Sequence, residues 1–287
     1  VSLSRCNLIE NKDAMTALVK LIHHPDGVVE CVLNRPDKMN ALSNDLIDEI
    51  IRVGESLVVD TQIRAVIVRG EGRAFCAGID LESLQHMLTD KERSVSSRLM
   101  ERSHGDSNRF QRVAMVWRDI PVPVIAAING VAFGGGIQIA LGTDIRLIAP
   151  DARMSVMEIK WGLVPDMGGM VLLRGLVRDD VARELIYTGR IVDAHEAVAI
   201  GLATRVADDP VVAAMSMAKE FLQKSPTALR AAKRLMGQWA IASDKDLLLA
   251  ESEEQGYLLG AEHQVEAVTA NLQKRAPVFI VKTNKPY

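Results

Sequence analysis

The sequence predicts an α/β protein, a coiled stack of ββα units followed by a mostly helical second half. Three observations carry this. Short β-branched and apolar runs alternate with amphipathic stretches through residues 16–157. From residue 170 onward nearly every segment has helical spacing. The early strand–strand–helix units also recur loosely, without a strict short repeat, which fits a coiled stack better than a doubly wound sheet.

The elements follow in order. Residues 16–24 and 27–34 read as strands joined at Pro25-Asp26-Gly27, a hairpin signal. Asn34-Arg35-Pro36-Asp37 is a loop. Ser43 caps a helix whose apolar residues Leu46, Ile47, Ile50, Ile51 and Val53 fall near helical spacing. Residues 64–69 are strand. From Leu81 the chain is helical but polar, and residues 94–108 carry too much serine and charge for a core. They read as a mobile or ligand-facing segment. A helix over 109–117 stops before Pro121 and Pro123, and a strand over 124–128 follows. After a glycine turn come a helix from Gly136, a strand over 144–149, a turn at Pro150-Asp151 and a strand over 153–157. Helices are then predicted over 170–177, 180–188, 194–200, 211–223, 227–239, 247–259 and 264–272. Ser225-Pro226 supplies an N-cap with proline at the first helical position.

The 287 residues allow one large domain, or a core with a small C-terminal module. The expected division is an extension over 1–14, a core over 15–209 and a helical region over 210–287. Met15 is a candidate functional start. A net charge of −3 gives no electrostatic case for nucleic acid or a membrane surface. The longest apolar runs are too short and interrupted to span a bilayer. Cys6, Cys31 and Cys76 are odd in number and scattered, which fits neither a disulfide framework nor a zinc site. They point to a reducing compartment, with a cytoplasmic location as the expectation. No H-E-x-x-H motif or Ser-His-Asp arrangement is visible, so no metal site is expected.

Two strand-to-helix turns carry the chemistry. In Ala127-Ile-Asn-Gly-Val-Ala-Phe-Gly-Gly-Gly-Ile137, Gly134, Gly135 and Gly136 sit where a helix begins. The unpaired N–H groups and partial positive charge there suit a bound anion, or one that develops during reaction. No Lys-Ser or Lys-Thr follows, and G-x-G-x-x-G is absent, so P-loop and dinucleotide readings fail. Tight helix–strand packing without a ligand is the remaining rival. The second turn is Arg73-Ala-Phe-Cys-Ala-Gly-Ile-Asp80, after the β-branched run at 65–69. Two such turns can each aim a backbone N–H at one oxygen, as an oxyanion hole requires.

Two acids stand nearby in sequence. Glu158 closes an apolar run and Asp166 lies in a glycine loop. A carboxylate in an apolar setting has a raised pKa and can act as acid or base near neutral pH. Glu158 could equally pair with an arginine. Asp166, taken alone, fits an N-cap for the helix at Met170 better than a catalytic group.

These residues resemble the crotonase superfamily of enoyl-CoA hydratases and isomerases. The likeness rests on RAFCAGIDLESL (73–84) and PVIAAINGVAFGGGIQIALGTDIRLIAPDARMSVMEIKWGLVPDMGG (123–169), with NRPDKMNAL (34–42) as a third piece. It spans residues 16–279. The resemblance implies a crotonase-type spiral of ββα units with a C-terminal helical region that builds trimers, often paired into hexamers. It implies an acyl-CoA substrate, with coenzyme A as part of that substrate and no separate cofactor. The thioester carbonyl would sit between the N–H groups of Ile79 and Gly135. Lys38 and Ala41 lie where coenzyme A is contacted, and Ala77 and Gly78 fall beside them. Glu158 matches the family's second catalytic glutamate. Asp166 stands where some isomerases, including dienoyl-CoA isomerases, have a catalytic aspartate. Trp161 narrows the acyl pocket or joins the core.

One departure bears on the reaction. Hydratases of the family have an acid where this chain has Gln138, which cannot exchange a proton at working pH but can still hold a water. The favoured expectation is therefore double-bond isomerisation by Glu158 and Asp166 through an enolate. The alternatives are a hydratase that tolerates Gln138, and an acyl-CoA-binding protein without chemistry.

Overall fold

The computed structural model describes residues 17–83, 85 and 98–280. The expected extension at 1–14 and residues 94–97 of the polar segment lie outside the described residues. Strands β1 (Val19–His23), β2 (Val28–Leu33), β3 (Ala65–Gly70), β4 (Val124–Ile128), β6 (Ile145–Ile148) and β9 (Arg205–Val206) pair in that order into a six-stranded sheet. β1 and β2 form the antiparallel hairpin that the turn at residues 25–27 predicts, and every later pair is parallel.

The near-continuous apolar strands are explained by burial on both faces. Val66, Val68, Ala126 and Ile128 point into the main core, shared with α1 (Asn44–Val59) and α2 (Arg109–Asp119). The alternate residues Ala65, Ile67, Ile125 and Ala127 pack on Ala214 and Ala218 of α7 (Pro210–Leu222). The period of two is the pleat itself. Leu46 and Ile50 of α1 are fully buried, and each contributes about 1.5–3 kcal/mol by leaving water. Ser43 caps α1 by accepting from the Leu46 N–H, as the sequence predicts.

The coiled stack is visible as a second layer. β5 (Val131–Phe133), β7 (Arg153–Ser155) and β8 (Val192–Asp193) form a three-stranded sheet, with β5 and β7 parallel. Isolated parallel bridges, Leu42 to Ile79 and Cys76 to Ala132, extend the same stacking. The segment after a main-sheet strand thus repeatedly steps into this layer. α3 (Gly135–Gly142) leaves it directly and is entirely buried.

The second half is helical, as expected: α4 (Gly169–Leu173), α5 (Asp179–Thr188), α6 (Ala194–Ala199), α7, α8 (Pro226–Gln238), α9 (Asp244–Leu258) and α10 (Glu262–Leu272). Asp209, Ser225 and Ser243 cap α7, α8 and α9. These caps start the helices up to three residues earlier than apolar periodicity alone suggests. The expected division at 209/210 falls in front of a helix that covers the main sheet, so α7 belongs to the core. α9 instead has no buried residue. Asn108 is also a correction to the polar-segment reading: it is buried as the N-cap of α2, in a reciprocal capping box with Gln111. No helix among the described residues is long and apolar enough to cross a membrane. Cys31 and Cys76 are buried and free, and burial pushes both thiols up to about 12.

Candidate active site

The two predicted turns meet. Residues 76–80 are stitched on both sides by backbone hydrogen bonds. Cys76 N–H donates to Val131 O (3.0 Å) and Phe133 N–H to Cys76 O (3.0 Å). Ala77 N–H donates to Met39 O (3.0 Å), Leu42 N–H to Gly78 O (2.7 Å) and Asp80 N–H to Leu42 O (3.1 Å). Within this ladder the Ile79 N–H finds no acceptor among the described residues, nor does that of Gly135, the first residue of α3. Both residues line one cavity of about 590 Å³.

Glycine is required here by backbone contact. A Cβ on Gly136 would lie 2.3 Å from Cys76 O, and one on Gly78 would lie 2.8 Å from Phe133 O. Gly134, with φ +53 and ψ −121, turns β5 into α3 through a conformation open to glycine alone. The close packing of α3 and β5 on residues 76–78 therefore leaves no room for a side chain at Gly136 or Gly78. The close helix–strand packing that the glycines suggest is thus present.

The 34–42 segment buttresses the donors. Met39 and Asn40 adopt left-handed conformations, with φ 49 and 54. Asn40 is fully buried, donating to Glu71 O (3.1 Å) and Ala74 O (2.8 Å) and accepting from the Arg35 N–H (2.8 Å). Arg35 pairs with Asp80 (2.9 Å) and donates to Ala41 O. Burial pushes the Asp80 carboxyl up, but the Arg35 hydrogen bond, the Glu82 N–H and the nearby positive charges outweigh it and hold it below its usual value. Asn40, Arg35 and Asp80 tie this segment to residues 71–80, a role that pattern reading does not foresee. The signal available was an Asn before a strand-like bridge, a type that tolerates the left-handed region.

The acids line the same cavity as Ile79 and Gly135. Gly135, Glu158, Trp161 and Asp166 all line it, with Met157, Leu163, Met167 and Phe133 supplying apolar wall. Glu158 does not end a strand as expected: β7 stops at Ser155, and Glu158 opens a 3-10 turn, Glu158–Trp161. Among the described residues it pairs with no arginine. Its Oε1 accepts from Gln138 Nε2 at 2.6 Å, and its Oε2 is buried without a partner among the described residues. Burial raises its pKa, the backbone and Gln138 hydrogen bonds oppose that, and the charge of Asp166 adds to it.

Asp166 is not a helix cap. Gly168, left-handed and without a side chain, occupies the N-cap of α4. Loss of water at the cavity wall raises the Asp166 carboxyl. The residue as a whole is exposed, so solvent screens that effect more than at Glu158.

Lys38, Ala41, Ala77 and Gly78 lie on the same cavity wall. Lys38 is at the exposed mouth, paired with Glu82 at 3.1 Å. Trp161 is 45% exposed and stacks with the Lys160 ammonium, 5.3 Å from the ring centroid. It therefore stands at the cavity and outside the core. Gln138 is the exception. It is 1% exposed and does not line the cavity. Its carbonyl accepts from Met167 N–H (2.9 Å) and Gly169 N–H (2.8 Å), while its amide donates to Glu158. No group of three His, Cys, Asp or Glu residues among the described residues is arranged to hold a metal.

Comparison with known proteins agrees with this geometry. The sequence model of the enoyl-CoA hydratase/isomerase family matches residues 23–282. A short-chain-enoyl-CoA hydratase of Clostridium acetobutylicum is 34% identical over 265 residues, covering 90% of this chain and 96% of that protein. The mitochondrial methylglutaconyl-CoA hydratase of Mus musculus is 31% identical over 260 residues, covering 88% and 79%. The crystal structure of an enoyl-CoA hydratase from Bacillus anthracis superposes with a TM-score of 0.83 at 29% identity, covering 91% of this chain and 98% of that one. The stacked ββα layers are the crotonase fold, and this chain belongs to the enoyl-CoA hydratase/isomerase family of enzymes.

Proposed function

We propose that the protein shifts a carbon–carbon double bond in an acyl-CoA thioester. One observation carries this reading: Glu158 lines the cavity with one oxygen held by Gln138 and the other buried without a partner among the described residues. Buried oxygens without partners are rare and call for a function. A raised carboxyl pKa suits a group that takes and returns a proton near neutral pH.

The thioester oxygen accepts from the Ile79 and Gly135 N–H groups, beside the positive end of α3. Glu158 takes a proton from the carbon next to the carbonyl. The C–H electron pair moves into the conjugated system, and negative charge collects on the oxygen between the two donors. Return of the proton to the γ-carbon, by Glu158 or Asp166, shifts the double bond. No atom is added, so the product has the mass of the substrate. Coenzyme A lies along Lys38 and Ala41, with Ala77 and Gly78 next to the thioester, and no separate cofactor takes part.

Gln138 is what sets this reading against hydration. Water addition needs a second group to orient the water, and Gln138 does not line the cavity, its carbonyl already accepting two backbone N–H groups. The test is product analysis. Purified protein is incubated with trans-2- and trans-3-enoyl-CoA thioesters of several lengths, and products are read by mass and NMR. An isobaric product from the 3-enoyl substrate is expected. A hydrated product from the 2-enoyl substrate overturns isomerisation in favour of hydration. Thioester binding without any product favours a pure binding role.

A further inference from the structure

We propose that Gln138 is a positioning residue, a clamp that fixes the Glu158 carboxylate and the Asp166 loop to each other and selects Glu158 Oε2 as the proton-handling atom. The proposal deepens the isomerase reading but its geometry stands apart from it. The side chain projects from α3, the helix whose first N–H faces the thioester site. Its carbonyl oxygen accepts two backbone N–H groups, from Met167 at 2.9 Å and Gly169 at 2.8 Å. Those two donors fix which end of the amide is oxygen, because the reverse orientation would set donors against donors. The NH₂ end is thereby committed to Glu158 Oε1 at 2.6 Å.

Three consequences follow. Oε1 is held as an acceptor, so the carboxylate cannot rotate freely, and Oε2 is the oxygen left without a partner among the described residues. Met167 directly follows Asp166, so the same side chain ties both acids to one helix. The clamp also explains a glycine: a Cβ on Gly169 would stand 2.7 Å from Gln138 Oε1, close enough to push the amide away. The charged side chain acting on Glu158 among the described residues is Asp166, which raises its pKa, whereas the hydrogen bond from the neutral Gln138 amide lowers it.

The experiment titrates the Glu158 carboxyl by NMR in protein carrying ¹³C-labelled glutamate, with Glu158→Gln assigning the signal. Gln138→Met keeps the length and removes the donor. It is expected to move the Glu158 titration upward by about one pH unit and to lower kcat by roughly 10²-fold, with the thioester KM nearly unchanged. Gln138→Glu keeps an acceptor for the two backbone N–H groups and faces Glu158 with a carboxyl, so its shift is larger and the pair titrates jointly. It also supplies the reading if Gln138→Met fails to fold. Gly169→Ala, which leaves both partners intact, should move the titration in the same direction. An unmoved Glu158 titration in the Gln138 variants overturns the clamp, whatever happens to stability. A moved titration with unchanged kcat overturns the positioning role. A wild type that hydrates, or turns over neither substrate, overturns the isomerase reading instead and leaves the titration to decide the clamp.

Discussion

The cavity has two walls built on different principles. The donor wall is backbone. The placement of Ile79 and Gly135 depends on a ladder of main-chain hydrogen bonds and on glycines that a methyl group would break. The acid wall is side chain. Glu158 and Asp166 stand on a 3-10 turn and a loop, aimed through Gln138. The difference teaches a division of labour. Polarising a carbonyl needs only geometry, which many sequences can supply through one backbone. What then happens to the proton depends on individual side chains, and a single exchange there can change the reaction while leaving the fold alone.

Predictions follow the same division. The largest effect is expected on the acid wall, where Glu158→Gln should lower turnover by ~10²–10⁴-fold while thioester binding, read by calorimetry, persists. Comparable loss of binding would mean that Glu158 holds the substrate rather than its proton. On the donor wall, Gly136→Ala drives a Cβ against Cys76 O. It should cost about 1–3 kcal/mol of stability in denaturant titration and, by displacing the Gly135 donor, lower kcat by ~10²–10³-fold. Asp166→Asn should be milder, roughly tenfold in kcat, since the residue is solvent-exposed and shares its task. A drop as deep as that of Glu158→Gln would make the two acids equal partners.

The smallest effect concerns stability. Glu158 has a folded pKa raised above its unfolded value. The folded state therefore binds the proton more tightly. The stability tied to that proton is present below the ordinary carboxylate range and lost as pH rises through the raised value. Glu158→Gln removes this loss. Its Tm should exceed that of the wild type by a few degrees at pH 8, with the gap closing at acid pH. A Tm gap independent of pH would assign the effect to packing.

The donor wall was more legible in the sequence than the acid wall, for a physical reason. Glycine clusters after β-branched runs announce a strand-to-helix turn, and the turn determines where the N–H groups go. Glu158 reads from the sequence as the end of a strand, because the 3-10 turn that it opens has no periodicity to read. Asp166 looked like a cap because its position before a helix suits one, yet Gly168 takes that place with a left-handed backbone. Gln138 reads from the sequence as a group that can hold a water. Nothing in its spacing reveals the two N–H groups of a loop about thirty residues away that turn its amide around. The strand order was also hidden, since parallel neighbours such as β4 and β6 come together only across a whole ββα unit.

The chain's three tryptophans occupy three different surroundings: Trp117 is fully buried, Trp239 is 64% exposed, and Trp161 is partly exposed on the cavity rim over the Lys160 ammonium. Only the last can change its solvent contact when the cavity fills. The protein thus carries its own optical reporter. With Trp239→Phe removing the exposed background, emission from Trp161 should follow thioester occupancy in real time, before any bond is made or broken.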